Sequence, residues 1–135
     1  MKVGEVDVVL CTYNSNKPYF RRCLEAIKRE VPVRRLIVVD RFSKDGTLKT
    51  VKSVFPDAVV IRSEANLARA RKLGIEAVET KYFLFVDDDV ELSKGWFEAV
   101  TEYVDSRTGG IHGHAVPVCG PLKRWFRWVR GVWEP

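Results

Sequence analysis

The sequence predicts an α/β fold in which helices cover both faces of a mainly parallel sheet. Runs rich in β-branched and other apolar residues alternate with segments whose apolar residues recur at helical spacing. The strand-like runs are apolar throughout and do not alternate with polar residues, which is typical of parallel strands buried on both sides. The length of 135 residues fits one domain with a substantial core.

Strand-like and helix-like segments can be placed in order along the chain. The expected strands are Val6–Cys11, Arg35–Asp40, Ala58–Ile61 and Tyr82–Val86, with a fifth at Gly109–Val116. The first helix should begin at Pro18, with Asn16 or Lys17 as its N-cap. A short helix carrying Leu48, Val51 and Val54 is expected after the turn and cap segment Ser43–Thr47. Further helices are expected over Asn66–Glu79 and after Ser93, which can cap a helix carrying Trp96, Phe97, Val100 and Val104.

The net charge of +5 is concentrated near the C-terminal end of the sequence. Residues 121–135 hold four basic residues against one glutamate and so carry +3 of that charge. Nucleic-acid binding by the body of the chain is therefore not expected. Three cysteines are an odd and sparse set, which favours reduced thiols and a cytoplasmic location over a disulfide framework.

Three polar segments directly follow predicted strands: Thr12–Asn14, Asp40–Ser43 and Asp87–Asp89. Ligands of open parallel sheets bind beyond the carboxyl ends of the strands, so these segments are the candidate site. The three adjacent aspartates would repel one another, and Mg²⁺ or Mn²⁺ would remove that repulsion by binding their oxygens. The alternative is a solvated acidic loop that caps the next helix.

Basic and histidine residues supply further candidates. Arg69, Arg71 and Lys72 lie on the third predicted helix and could counter a bound diphosphate, although a solvated helix face is the simpler interpretation. His112 and His114 are two residues apart and would share one face of a strand. No third ligand is evident near them in the sequence, so we do not expect a metal there.

Residues at the first two strand exits could contact a nucleotide. Tyr13 could stack on a base, and Asn14 could hold the turn that presents it. Asp40 could bind a ribose hydroxyl or a base edge, or it could only cap a turn. Cys11 has no obvious base partner in the sequence, so a thiol nucleophile is not expected.

Four segments, in their order along the chain, resemble the family 2 glycosyltransferases of the GT-A fold. They are Val8–Asn14 (VVLCTYN), Leu36–Thr47 (LIVVDRFSKDGT), Asn66–Ile75 (NLARARKLGI) and Tyr82–Val90 (YFLFVDDDV). Gly109–Pro117 resembles the strand that follows, so the likeness covers about residues 5–117. It implies a Rossmann-like nucleotide-sugar-binding domain at residues 1–118, followed by a basic aromatic tail at residues 119–135.

The resemblance also implies inverting transfer of a sugar from a nucleotide-diphospho-sugar to a glycan or lipid-linked acceptor, with Mn²⁺ or Mg²⁺ as cofactor. Carried over by position, the donor-binding residues would be Cys11, Thr12, Tyr13, Asn14, Asp40, Arg71, Asp87 and Asp88. Within this set, Arg71 would face the diphosphate. Asp89, together with Asp87, would hold the metal.

The chain departs from the family pattern in ways that bear on function. Asp40-Arg41 stands where the family has two aspartates, the second of which often contacts a uracil-type base, and Lys72 replaces an asparagine. The family's catalytic base lies in a later, acceptor-binding half, so we expect it beyond Pro135.

Two other functions remain open at this stage. One is a non-catalytic module that binds a nucleotide sugar or recruits a partner to a membrane. The other is a metal-dependent phosphohydrolase with Asp87 as nucleophile and Asp89 as acid. Such enzymes carry this motif near their first strand, whereas here it follows the fourth, and Glu91 fills the fifth place of the motif.

The tail is predicted to form an amphipathic helix. Its large apolar residues would share one face: Leu122, Trp125, Phe126, Val129 and Trp133. Flanking cations make this face suitable for a membrane interface, which would place the protein on the inner face of the membrane. The alternative is that the same face packs on the domain itself or on an acceptor-binding half.

Overall fold

The computed structural model describes residues 3–113, together with the backbone of residues 128–129 and 132–133. Strands and helices alternate over the first range. They are β1 (Val6–Thr12), α1 (Pro18–Glu30), β2 (Val33–Asp40), α2 (Thr47–Val54), β3 (Val59–Arg62), α3 (Leu67–Glu76), β4 (Phe83–Phe85) and α4 (Trp96–Thr101). Two short strands follow, β5 (Trp128–Val129) and β6 (Val132–Trp133).

Strands β1 to β4 form one parallel sheet in the order β3-β2-β1-β4. β1 pairs with β2 as far as Thr12 and Asp40, so the exits of these two strands lie side by side. β4 pairs with the other side of β1, which brings the acidic segment to the same edge of the sheet. The predicted α/β fold with a parallel sheet is confirmed.

Helices α1 and α2 cover one face of this sheet. α1 begins at Pro18 with Lys17 as its N-cap, in agreement with the prediction. Its residues Phe20, Leu24 and Ile27 repeat at helical spacing and are fully buried. They join alternate residues of β1 and β2 in the main apolar cluster, which anchors the two loops that follow these strands.

Helix α3 covers the opposite face, where its close approach to the sheet requires a glycine. A Cβ on Gly74 would lie only 2.3 Å from Val9 Cγ1, and 3.5 Å from Val39 Cγ2. α3 therefore rests on β1 and β2, and β4 is less well covered by the residues that the structure describes. Phe83 and Phe85 are 38% and 40% exposed, although their apolar run predicts a buried strand.

A buried carboxylate joins the elements at the other end of the sheet. Asp7 is fully buried; Arg35 Nη2 donates to its Oδ2 at 3.0 Å, and the Glu79 amide donates to the same oxygen at 2.8 Å. Burial alone would raise the pKa of Asp7. The hydrogen bonds from Arg35 and Glu79, with the charges of Arg35 and Arg34, nevertheless hold that pKa below its ordinary value.

Three expected element boundaries differ from the structure. Residues 109–113 are irregular where a strand is predicted, since three glycines in this stretch weaken it, and residues 114–116 lie outside the described range. α3 ends at Glu76 because the Glu79 amide donates to Asp7 and does not continue the helix. α4 has Gly95, with a φ of 76°, at its N-cap where Ser93 is predicted.

The tail is not helical where its backbone is described. Trp128 pairs with Trp133 and Val129 with Val132 as antiparallel strands, so the predicted helical face does not form at these positions. Aromatic and β-branched residues favour strands, and here that preference outweighs the helical spacing. The tail side chains, and with them the predicted membrane contact, lie outside the described residues. In the described part of the chain, no helix is long and apolar enough to cross a membrane.

Candidate functional site

The loops that follow β1 and β2 are locked together by the side chain of Asn14. This residue has a left-handed backbone with a φ of 45°, which asparagine tolerates better than most residues. Its backbone amide donates to Ser43 Oγ at 2.8 Å, and its side-chain Oδ1 accepts from the Lys44 backbone amide at 2.9 Å. Asn14 therefore holds the turn, and it is not one of the residues that line the cavity described below.

Asp40 organises the same two loops from within the protein. Its Oδ1 accepts from Thr12 Oγ1 and from Ser43 Oγ, each at 2.6 Å, and its Oδ2 accepts from the Ser43 amide at 2.9 Å. The residue is fully buried and does not line the cavity. The structure thus gives Asp40 the turn-capping role that the sequence left open, with both carboxylate oxygens already occupied by protein donors.

A cavity of about 370 Å³ lies over the carboxyl ends of the strands. Seven of its lining residues belong to the predicted site: Cys11, Thr12, Tyr13, Arg71, Asp87, Asp88 and Asp89. Six others come from β2, from the loops after β2 and β3, and from α3: Val39, Arg41, Ser63, Ala65, Leu67 and Ala70. The order of the strands brings this second group to the cavity. The residue types of most of its members therefore do not indicate from the sequence that they line a site.

The three aspartates occupy one flank of the cavity and differ in their contacts. Asp88 is half-buried and accepts a short hydrogen bond from Ser15 Oγ, which itself accepts from the Tyr13 amide. Asp87 is exposed, and its Oδ1 lies 3.1 Å from Arg71 Nη2. Asp89 is also exposed. Asp88 is therefore hydrogen-bonded to the β1 loop, whereas Asp87, paired with Arg71, and Asp89 are exposed at the cavity.

Metal binding at this flank would need ligands beyond the protein. Within residues 3–113, no group of three or more His, Cys, Asp or Glu side chains is arranged to hold a metal ion. The donor set nevertheless suits Mg²⁺ or Mn²⁺, since such ions are usually held by one or two carboxylates with substrate phosphates and waters. Asp89 and Asp87 are the exposed carboxylates that fit this pattern.

Cys11 contributes a neutral wall to the cavity. Burial raises the pKa of its thiol. The charge of Arg71 lowers this pKa, and the charges of Asp87 and Asp88 raise it further. Cys23 lies deeper; burial raises the pKa of its thiol to about 12, and its Sγ donates to the Asp87 carbonyl at 3.4 Å. The raised pKa values favour the neutral form of both thiols, whereas the thiolate is the form that acts as a nucleophile.

The opposite flank of the cavity is aromatic and cationic. Tyr13 is 61% exposed, and the guanidinium carbon of Arg41 lies 5.5 Å from the centre of its ring. The Arg41 amide donates to the Thr12 carbonyl at 2.9 Å, so the backbone of this residue is tied to β1. The cavity thus has an acidic flank at the end of β4 and, toward β2, a basic aromatic flank formed by Tyr13 after β1 and Arg41 after β2.

Comparisons with known proteins give a consistent result. Residues 7–132 match the sequence model of glycosyl transferase family 2. A teichoic acid poly(glycerol phosphate) polymerase of Staphylococcus epidermidis is 31% identical over 112 residues, which are 76% of this chain and 15% of that protein. A polypeptide N-acetylgalactosaminyltransferase 8 of Drosophila melanogaster is 29% identical over 118 residues, which are 79% of this chain and 20% of that protein. The chain therefore spans a fifth or less of these relatives.

Solved structures share the same fold. S. aureus TarS in complex with UDP has a TM-score of 0.61 and 26% identity, over 84% of this chain and 38% of the other. Glucosyl-3-phosphoglycerate synthase from Mycobacterium tuberculosis, in complex with Mn²⁺, UDP and glucosyl-3-phosphoglycerate, has a TM-score of 0.56 and 20% identity. That second match covers 73% of this chain and 39% of the synthase and is a likeness of fold alone.

Proposed function

We propose that this chain, which belongs to glycosyl transferase family 2, binds a nucleotide-diphospho-sugar in the cavity at the carboxyl ends of its sheet. The observation that carries the proposal is the division of the cavity into two chemically different flanks. Arg71 and the Asp87–Asp89 segment suit a diphosphate and a divalent metal, whereas the exposed ring of Tyr13 suits a base. Transfer of the sugar to a hydroxyl of a glycan or lipid-linked acceptor is part of the same proposal.

Arg71 would bind the diphosphate that leaves during transfer. Its guanidinium is paired with Asp87 and lies 5.9 Å from the centre of the Phe85 ring, so these contacts hold it at the cavity wall. Donor phosphates would compete with Asp87 for its N–H groups, because phosphate accepts strong charge-assisted hydrogen bonds from arginine. A cation held in place in this way stabilises negative charge as it develops on a leaving group.

Asp89 and Asp87 would be the protein ligands of a divalent metal. When bound, Mn²⁺ or Mg²⁺ would supply electrostatic stabilisation of the diphosphate. We expect inversion at the anomeric carbon, because the proposed reaction is a direct displacement by the acceptor hydroxyl. We expect a carboxylate outside the described site to take the hydroxyl proton.

Incubation of the chain with UDP-, GDP-, CDP- and dTDP-linked sugars and Mn²⁺ tests the proposal. We expect slow release of free sugar and nucleoside diphosphate from at least one donor, because water can replace the acceptor. Release of inorganic phosphate would instead indicate a phosphohydrolase. Saturable binding without any turnover would indicate a non-catalytic binding module, and failure of every donor to bind would refute the donor site.

Replacement of Arg71 by alanine should weaken binding of a nucleoside diphosphate more than binding of the matching monophosphate. One lost charge-assisted contact should cost about 1.5–3 kcal/mol for the diphosphate. Isothermal titration calorimetry with both ligands measures the difference. Lys72→Ala is the matched control, because Lys72 lies on the same helix, pairs with Glu76 and does not line the cavity. Equal weakening of both ligands would place Arg71 away from the diphosphate.

A further inference from the structure

We propose that Arg41 selects a nucleotide base whose edge presents two adjacent hydrogen-bond acceptors, as guanine does with O6 and N7 and cytosine with O2 and N3. This inference rests on the donor site proposed above and specifies which nucleotides it accepts. It follows from three observations: the position of Arg41 in the cavity, the hydrogen-bond donors of its side chain, and the hydrogen bonds that already occupy the neighbouring carboxylate of Asp40.

The order of the strands places Arg41 and the acidic flank at opposite sides of the cavity. Arg41 follows β2, the aspartates follow β4, and β1 lies between these strands. Neighbouring strands are ~4.8 Å apart, so the two flanks are separated by about 10 Å. A nucleotide whose diphosphate lies at the aspartates would therefore extend its base past Tyr13 toward Arg41.

The Arg41 guanidinium is available to a ligand. It lies over the Tyr13 ring, and no carboxylate within residues 3–113 forms an ion pair with it. Its backbone is fixed to β1 by the hydrogen bond to the Thr12 carbonyl. A base that shares the exposed Tyr13 ring with the guanidinium would bring its edge within reach of the N–H groups, and the planar fork of arginine suits a two-bond contact.

Arginine offers only hydrogen-bond donors, so it distinguishes bases by their acceptors. Guanine O6 and N7 accept a pair of hydrogen bonds from one arginine, and each good pair discriminates strongly between bases. Cytosine presents O2 beside an unprotonated N3. In uracil an N–H separates the two carbonyl oxygens, and in adenine an amino group stands beside the ring nitrogens, so neither offers adjacent acceptors to the guanidinium.

The carboxylate nearest to Arg41 in sequence is unable to reverse this preference. Asp40 is fully buried, and both its oxygens accept from Thr12 and Ser43. The aspartates that line the cavity all lie at the β4 flank. Glu64 lies on the loop after β3 but does not line the cavity, so among the lining residues the Arg41 flank has no carboxylate that could accept from the N3–H group of uracil.

Calorimetric titration of the full chain with GDP, CDP, UDP and ADP, each with Mn²⁺, tests the assignment. UDP is the reference because it is the ligand bound to S. aureus TarS. We expect GDP or CDP to bind about tenfold more tightly than UDP and ADP. If GDP is preferred, 7-deaza-GDP, which lacks the N7 acceptor, should lose that advantage; if CDP is preferred, cytosine is the base selected.

Substitutions at Arg41 separate this inference from the donor site itself. Arg41→Ala should abolish the preference, and Arg41→Asp should shift it toward UDP, because a carboxylate accepts from N3–H. Arg62→Ala is the matched control, since Arg62 stacks on Phe42 and does not line the cavity. Preference for UDP by the unaltered chain, or an unchanged ranking in Arg41→Ala, would overturn the role of Arg41 alone. Failure of all four diphosphates to bind would overturn the donor site as well.

Discussion

Replacement of Asp89 by alanine is expected to abolish the Mn²⁺ dependence of nucleoside diphosphate binding while the fold remains intact. Asp89 is an exposed carboxylate in the cavity lining and is one of the two ligands proposed for the metal. Changes to residues that only support metal ligands cost about 10- to 100-fold in metal affinity, so loss of a ligand should cost at least about a hundredfold. Titrations with Mn²⁺ and with EDTA measure this dependence directly.

Asp105→Ala provides the control for the Asp89 substitution. Asp105 is an exposed aspartate that pairs with Arg107 and does not line the cavity. This variant should keep the full difference between titrations with Mn²⁺ and with EDTA. Thermal unfolding should show Asp89→Ala to be no less stable than the unaltered chain without metal, because the change removes repulsion among three neighbouring carboxylates. Retention of Mn²⁺ dependence in Asp89→Ala would show that the metal is held elsewhere.

The largest effect on stability is expected from Asp7→Asn. The substitution keeps the shape of the side chain but leaves the guanidinium groups of Arg34 and Arg35 without their buried counter-charge. Removal of one partner from a buried ion pair typically costs 3–5 kcal/mol, and we expect at most about 3 kcal/mol because both arginines are partly exposed and keep ion pairs with Glu79. Urea denaturation measures the free energy of unfolding. Glu5→Gln, which neutralises an exposed carboxylate two residues away, should change it little.

The same carboxylate should make stability depend on acid pH. Because the folded state lowers the pKa of Asp7, this group stabilises the fold above its unfolded pKa, near 3.8. That contribution is lost as the pH falls from this value through the lower folded pKa. The free energy of unfolding of Asp7→Asn should therefore fall less steeply between neutral and acid pH than that of the unaltered chain. Parallel curves for the two proteins would contradict this role.

Strand positions could be predicted well from the sequence, but the exposure of one strand could not. The apolar runs before Thr12, Asp40 and Asp87 predict three neighbouring exits, and the structure places all three at one edge of the sheet. The run Tyr82–Val86 is just as apolar, yet Phe83 and Phe85 are partly exposed. Composition reports how apolar a strand is, whereas exposure depends on how far α3 reaches across the sheet.

The candidate site could be predicted in part for a similar reason. Arg71 and the three aspartates line the cavity, which is the placement that the functional interpretation of these residues requires. Asn14 and Asp40 have side chains that serve equally well as ligands or as loop braces, and their neighbours Ser43 and Lys44 complete the braces. The choice depends on where the second loop passes, which is a property of the folded chain and not of either residue.

The short strand β4 has a consequence for the motions of the site. Among the described residues it pairs with β1 alone, over three positions, whereas β1 and β2 pair over seven. Amides in short outer strands exchange with solvent through local opening more readily than those at the centre of a sheet. The acidic flank directly follows this strand. A nucleotide sugar that contacts both flanks would connect β4 to the more stable strands at the centre of the sheet. Occupancy of the cavity should therefore slow hydrogen exchange in β4, far more than in β1 or β2.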